Sequence, residues 1–225
     1  TKLEIFKDEI PERYFDVGIA EEHAALFACG LASQGLKPFL AIYSTFMQRA
    51  YDMIIHDIAL QELPVRLCMD RGGLSGDDGP THHGLFDIGY LRHIPNMIHM
   101  QPIDEDEFSD MLWTMSQYDD GPTAIRYPRG AGVGAKPKEN PHLLEIGKGE
   151  LVKDGSDVAL IGLGFVHNLA VEAGEELEAQ GYSVALVNPR FIKPLDEELI
   201  LDVAKRCKVI CTFEASSNVI TGFAL

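Results

Sequence analysis

An α/β fold of two domains, each a mainly parallel sheet flanked by helices, is predicted by three features of the sequence. From Tyr14 onward, short β-branched and aromatic runs alternate with amphipathic stretches of helical length. Residues 131–150, AGVGAKPKENPHLLEIGKGE, break that alternation with a Gly-, Pro- and charge-rich stretch of linker composition. After it a βαβαβ pattern resumes through SDVALIGLGF, YSVALVNPR and KVICTFE. Domains are therefore expected at 1–130 and 151–225, joined by a linker at 131–150.

The elements follow in order. YFDVGI reads as a strand, and Glu21 to Gln34 as a helix stopped by Gly35. KPFLAIYST is a second strand, Phe46 to Gln61 a second helix, and LPVRLCMD a third strand. The stretch RGGLSGDDGPTHHGLFDIGYLRHIP has no period, and long Gly-rich loops inside compact domains are commonly functional. NMIHMQP is a strand, Asp104 to Tyr118 a helix with an acidic first turn, and PTAIRYPRG the closing strand. Phe108 and Trp113 are expected to pack in the core, and His56 to be an interior or interface histidine. In the second half, helices are expected at His167 to Gln180 and Leu195 to Arg206, giving a three-stranded sheet that looks cut short at Leu225.

The composition bounds the function. The chain has 225 residues, 46% hydrophobic and 24% charged, as expected of a globular protein with a sizeable core. With 19 Lys and Arg against 35 Asp and Glu, its net charge of −16 argues against nucleic acid and membrane surfaces as partners. No apolar run of about eighteen residues and no signal-peptide core is present, so a cytoplasmic location is expected, or a plastid one in a plant-like source. The chain starts at Thr1 rather than Met, which suggests a processed or partial chain. Cys29, Cys68, Cys207 and Cys211 lack metal-ligand spacing and are expected to be reduced, buried thiols; no metal site is expected.

Candidate chemistry gathers where parallel strands end, because their C-termini share one rim and open α/β sheets bind ligands there. Glu21 starts a helix just past one strand, and Tyr43, Phe46 and Arg49 follow the end of another. Arg71, Asp78 and His82 lie in the long loop, and Arg129 closes the last strand of the first half. Arginines, carboxylates, a histidine and aromatics at one rim suit a phosphorylated, hydroxyl-bearing ligand beside a stacking surface. GLG at Gly162 to Gly164 lacks the third glycine and the downstream acid of a dinucleotide fingerprint, and reads as a tight strand-to-helix turn.

Four stretches carry a resemblance: FDVGIAEEHA, KPFLAIYSTFMQRAYD, DRGGLSGDDGPTHHG and RYPRG. They resemble the 1-deoxy-D-xylulose-5-phosphate synthase family, thiamine diphosphate enzymes of the transketolase superfamily, from about Pro11 to about Glu214. The resemblance implies a pyrimidine-binding domain followed by a truncated transketolase C-terminal domain. It also implies a transferase that condenses pyruvate with D-glyceraldehyde 3-phosphate, losing carbon dioxide, in isoprenoid and thiamine precursor synthesis. By the same resemblance Glu21 is the carboxyl that holds the aminopyrimidine nitrogen, and Phe46 the aromatic on which the pyrimidine stacks. Tyr43 and Arg49 match the substrate pocket, Arg71 and Arg129 the pair that grips the aldehyde's phosphate, and Asp78 and His82 the contacts to substrate hydroxyls or the adduct. His82 and Glu21 are thus the implied catalytic residues.

A homodimer is also implied. The GDG-bearing domain that holds Mg2+ and the diphosphate is absent from these residues, so the chain alone is expected to be inactive. Glu22 stands where the family has glutamine, and EASSNVITGFAL departs from the family's usual ending. The alternatives are a subunit of a split transketolase or oxo-acid dehydrogenase, and a non-catalytic interaction module.

Overall fold

The computed structural model describes residues 3–216. A short helix, Glu4–Glu9 (α1), leads into an unpaired segment where the first strand was expected. YFDVGI forms no strand because Gly18 turns at φ +70° and its N–H bonds the Asp16 carboxylate at 3.0 Å, spending a donor that a ladder would need. Phe15 and Ile19 are left 56% and 93% exposed. Helix Glu21–Ser33 (α2) then buries a stripe of small residues, Ala24, Ala25, Ala28, Cys29 and Ala32. It ends where Gly35, at φ +80°, returns its N–H to the Ala32 carbonyl.

Strand Phe39–Tyr43 (β1) follows. The helix expected over Phe46–Gln61 is broken into Ser44–Met47 (α3), a 3-10 turn at Gln48–Ala50, Tyr51–Met53 (α4) and a π-helical turn at Ile54–Ala59. Met47, Ala50, Ile54 and Ile58 are all fully buried, so packing, not a constant hydrogen-bond period, sets this segment's path. His56 is a surface residue with a 71% exposed side chain beside Asp57, not an interior one. Strand Arg66–Asp70 (β2) is buried throughout, and after the Gly-rich loop come Asp87–Arg92 (α5) and Ile98–Met100 (β3). Helix Glu105–Gln117 (α6) is capped by Asp104, whose carboxylate accepts the Glu107 N–H at 2.8 Å. Phe108 packs edge-on to Tyr127, whereas Trp113 is 44% exposed because α6 buries Glu107, Asp110, Met111, Thr114 and Met115 instead. Strand Thr123–Arg126 (β4) follows.

The later elements are Glu150–Lys153 (β5), Val158–Gly162 (β6), His167–Ala179 (α7), Val184–Asn188 (β7), Phe191–Lys193 (β8), Glu197–Arg206 (α8) and Val209–Phe213 (β9). They form a four-stranded sheet of order β5-β7-β6-β9, in which β5 is antiparallel and the rest parallel. The three-stranded expectation missed β5. It also missed β8, which leaves that sheet and pairs antiparallel with β3, completing a five-stranded sheet of order β1-β2-β4-β3-β8. Phe191 of β8 is fully buried among Cys68, Met100, Met111 and Ile125. The two halves are further tied by Glu107, which accepts from Asn188 at 2.9 Å and from Arg190 at 2.7 Å.

Residues 134–144 are fastened along one face of α6. Glu105 accepts the Gly134 and Ala135 N–H groups, Asp106 that of Lys138, Asp110 that of His142, and Thr114 that of Leu144. GLG forms a tightly packed strand-to-helix turn: a Cβ on Gly162 would meet His167 Cα at 2.6 Å, and one on Gly164 would meet Gln101 at 2.3 Å. The cysteines are free; Cys211 is exposed, unlike the other three, because β9 faces solvent at that position. Among the described residues no helix is long and apolar enough to cross a membrane. The last nine residues of the chain, which include most of the divergent ending, lie outside the described residues.

Candidate active site

Level strand ends build the site. Tyr43, the last residue of β1, pairs with Asp70, the last of β2, and Met69 pairs with Arg126, the last of β4. Residues just past these ends therefore share one rim, and all eight predicted site residues are found there in one connected series.

Glu21 begins α2, where the helix dipole favours a carboxylate, and its side chain is only 10% exposed. Its Oε1 accepts from Arg49 Nη1 at 2.7 Å. The same guanidinium lies 4.8 Å from the centre of the Phe46 ring, a cation–π distance. Phe46 stacks on Tyr43 at 5.7 Å and 16°, and His82 stands edge-on to Phe46 at 5.3 Å. Arg71 covers the other aromatic, with its Cζ 3.9 Å from the centre of Tyr43.

Arg71 is held twice, by Asp70 at 2.5 Å and Asp78 at 3.2 Å, and Asp78 also reaches Arg129 at 2.9 Å. Burial opposes the Arg71 charge, but Asp70 and Asp78 outweigh it and raise its pKa above the ordinary value. Glu21, Asp70 and Asp78 thus face Arg49, Arg71 and Arg129, so the rim is locally balanced on a chain of net charge −16. An anion approaching it meets fixed cations and not the chain's mean field.

The loop geometry makes this convergence possible. Arg71 adopts φ +61°, a left-handed conformation that costs a non-glycine residue about 1 kcal/mol and concentrates at functional sites. Gly79, at φ +82°, turns the chain between Asp78 and Pro80 so that His82 swings back over Phe46. Ser75 fixes the return by donating to the His82 carbonyl at 2.6 Å. Burial drives the Tyr127 hydroxyl, beside this rim, well above its ordinary pKa, so it stays a neutral phenol.

A depression of about 560 Å³ in the second half shares no lining residue with this rim and is bounded by Lys148, Asp196, Glu198, Leu201, Asp202 and Lys205. A smaller cleft of about 310 Å³ lies between the Gly-rich loop and the second half, lined by Leu74, Leu85, Phe165 and Ala215 among others. Neither contains the converged side chains, and the chemistry of the rim, not the size of a hollow, marks the site. Among the described residues no three His, Cys, Asp or Glu side chains are grouped to hold a metal ion.

Sequence reasoning missed three residues beneath the rim, all fully buried: Arg126 and the two side chains it bonds, Asp87 and Gln101. They are separated by 14 to 39 residues in the chain and share no spacing motif, so only the fold brings them together.

A doubly flanked sheet with a carboxylate at a helix start, an aromatic platform and paired arginines at its rim is the arrangement of a transketolase-type domain. The family models agree: residues 1–133 match the transketolase pyrimidine binding domain, and residues 147–224 the transketolase C-terminal domain. The chain belongs to the transketolase family. Within it, the chain is 58% identical over 214 residues to the 1-deoxy-D-xylulose-5-phosphate synthase of Acidobacterium capsulatum, and 56% identical to that of Methylacidiphilum infernorum. Each match covers 95% of this chain and 34% of the relative, so the chain spans about a third of the length of the curated relatives it matches. Among solved structures, a split gene transketolase described as an inactive β4 tetramer is similar at a TM-score of 0.82 and 28% identity. That match covers 94% of this chain and 69% of the other. A transketolase mutant from Pichia stipitis shares the fold at a TM-score of 0.72 and 22% identity, covering 89% of this chain and 30% of that one.

Proposed function

We propose that the chain is the pyrimidine-binding part of a 1-deoxy-D-xylulose-5-phosphate synthase, which joins pyruvate to D-glyceraldehyde 3-phosphate and releases carbon dioxide. The single observation that carries this reading is the unbroken series Glu21, Arg49, Phe46, Tyr43, Arg71, Asp78 and Arg129, with His82 over the aromatic pair.

The residues fit the pyrimidine end of thiamine diphosphate. A flat, N–H-bearing group, the Arg49 guanidinium, is already held between a carboxylate acceptor at 2.7 Å and an aromatic ring at 4.8 Å. An aminopyrimidine needs the same two features. Glu21 would hold the proton at the pyrimidine nitrogen and Phe46 would support the ring. Bound there, the cofactor supplies the carbon nucleophile needed to decarboxylate pyruvate. Arg71 and Arg129 would orient the aldehyde through its phosphate, with Asp78 holding the two guanidinium groups toward one point. Asp78 and His82 would meet the hydroxyl and carbonyl oxygens next to it. The neutral Tyr127 adds no charge to this grip.

We assign Mg2+ and the diphosphate to a further domain of the assembly, and infer a homodimer in the bacterial cytoplasm, or in a plastid for a plant-like source. A second reading, that a separate polypeptide supplies the diphosphate domain, is favoured by the likeness to a split gene transketolase. The test is to isolate the native gene product, determine its intact mass and partners, and assay carbon dioxide release from pyruvate with thiamine diphosphate and Mg2+. Release that requires D-glyceraldehyde 3-phosphate and yields 1-deoxy-D-xylulose 5-phosphate supports the proposal. Release with no such product contradicts it. A copurifying second polypeptide selects the split arrangement.

A further inference from the structure

Beneath the rim, Arg126 carries a formal positive charge at 0% exposure, which is tolerated only when the guanidinium is paired and its donors are used. Its Nε donates to Asp87 Oδ2 at 2.6 Å and its Nη1 to Gln101 Oε1 at 2.7 Å. Its Nη2 donates to two backbone carbonyls, Gly84 at 3.0 Å and Ala215 at 3.1 Å. The first carbonyl belongs to the Gly-rich loop of the site, and the second lies just beyond β9. One planar fork therefore joins the core of the first sheet, the loop and the second half.

The Gly84 contact reaches the rim through backbone alone. Gly84 and Gly73 exchange hydrogen bonds in both directions, at 2.7 and 2.9 Å, and Gly72 donates to the Tyr127 carbonyl at 2.8 Å. The two ends of the loop are thus clasped over the Arg126 side chain, which a Cβ on Gly72 would approach at 3.2 Å. Between the clasped ends sit Asp78 and His82, and Arg71 immediately precedes them. Glu21 and Phe46 lie on α2 and α3, outside the clasp.

We propose that Arg126 is a positioning residue, which fixes Arg71, Asp78 and His82 by holding the loop ends at Gly84 and Gly73 against the end of β9. It touches none of the proposed substrates. Lysine cannot replace it, because a single ammonium lacks the planar fork that meets four acceptors on four separate segments. Asp87 balances its charge, and the neighbouring His99, buried and held neutral by desolvation, adds none. The placement of the loop is independent of the synthase assignment; its consequence for the phosphorylated aldehyde rests on that assignment.

The experiment uses the whole gene product carrying Arg126→Lys, together with Gln101→Met, which removes one acceptor and keeps the ion pair. Hydrogen exchange without substrates is expected to lose protection at the Gly72, Gly73 and Gly84 amides by about tenfold or more, with α2 unchanged. In steady-state kinetics, the KM for D-glyceraldehyde 3-phosphate is expected to rise by about tenfold or more while that for pyruvate stays within about twofold. Gln101→Met is expected to show both changes at smaller size, so the inference survives if Arg126→Lys does not fold. Unchanged exchange in the loop overturns it, as does equal loss of protection in α2, which would mark a general stability role. A loosened loop with no change in aldehyde KM keeps the positioning role but refutes the phosphate-gripping role of Arg71 in the proposed function.

Discussion

Phe191→Ala tests whether the two halves of the chain share one core. Phe191 sits in β8, the strand that the second half lends to the first sheet, and it is fully buried against Met100, Met111 and Ile125. Removing its ring forfeits about 2 to 3 kcal/mol of transfer free energy. A residual cavity of roughly 100 Å³, at about 24 cal/mol per Å³, adds about 2 kcal/mol. The expected loss is therefore about 4 to 5 kcal/mol, a large share of the roughly 5 to 15 kcal/mol that stabilises a typical domain. With a urea slope near about 3 kcal/mol per molar, the midpoint should fall by about 1.5 M. The assay is urea unfolding followed through Trp113, the one tryptophan of the chain, on α6, whose Met111 and Met115 touch Phe191. Leu169→Ala, at a half-exposed position of α7, is the control and should stay within about 0.5 kcal/mol. A fall below about 0.5 M, or a Trp113 transition that does not move, would refute the shared core.

Two further predictions concern titration and the segment along α6. His99 is fully buried and its pKa is pushed from 6.5 down to about 4 by desolvation, so between those values the unfolded chain binds a proton that the folded one refuses. Stability should therefore fall by up to about 1.4 kcal/mol per pH unit from pH 6.5 down to about 4, and His99→Met should flatten that slope in pH-dependent unfolding. Asp110→Ala removes the acceptor of the His142 N–H at 2.6 Å and the partner of Lys138 at 2.7 Å, at a cost of about 1 to 3 kcal/mol. Trypsin should then cut after Lys138 several-fold faster, while an unchanged cleavage rate would mean that residues 134–144 are held by something other than α6.

The rim was legible in the sequence because strand ends can be read from apolar runs, and in a parallel sheet those ends must share an edge. Tyr43 and Arg71 meet for that reason alone. The buried layer below it was not legible. Arg126, Asp87 and Gln101 carry no local signal, since their partners are fixed by β4 lying between β2 and β3. β8 was hidden because it is only three residues long between Pro189 and Pro194, and β5 because all four of its residues are exposed and show no alternation. The reverse error, a strand at YFDVGI, came from trusting β-branched and aromatic composition where Gly18 and Asp16 form a local turn instead.

The most direct test of the central claim is Glu21→Ala in the whole gene product, assayed for 1-deoxy-D-xylulose 5-phosphate formed from pyruvate and D-glyceraldehyde 3-phosphate. A carboxyl that holds the proton on the pyrimidine ring should be worth about 10² to 10⁴ in rate, so the account predicts a fall in kcat of at least about a hundredfold in a protein that still folds. Turnover within about twofold of the unaltered protein would contradict the assignment of this rim as the cofactor site.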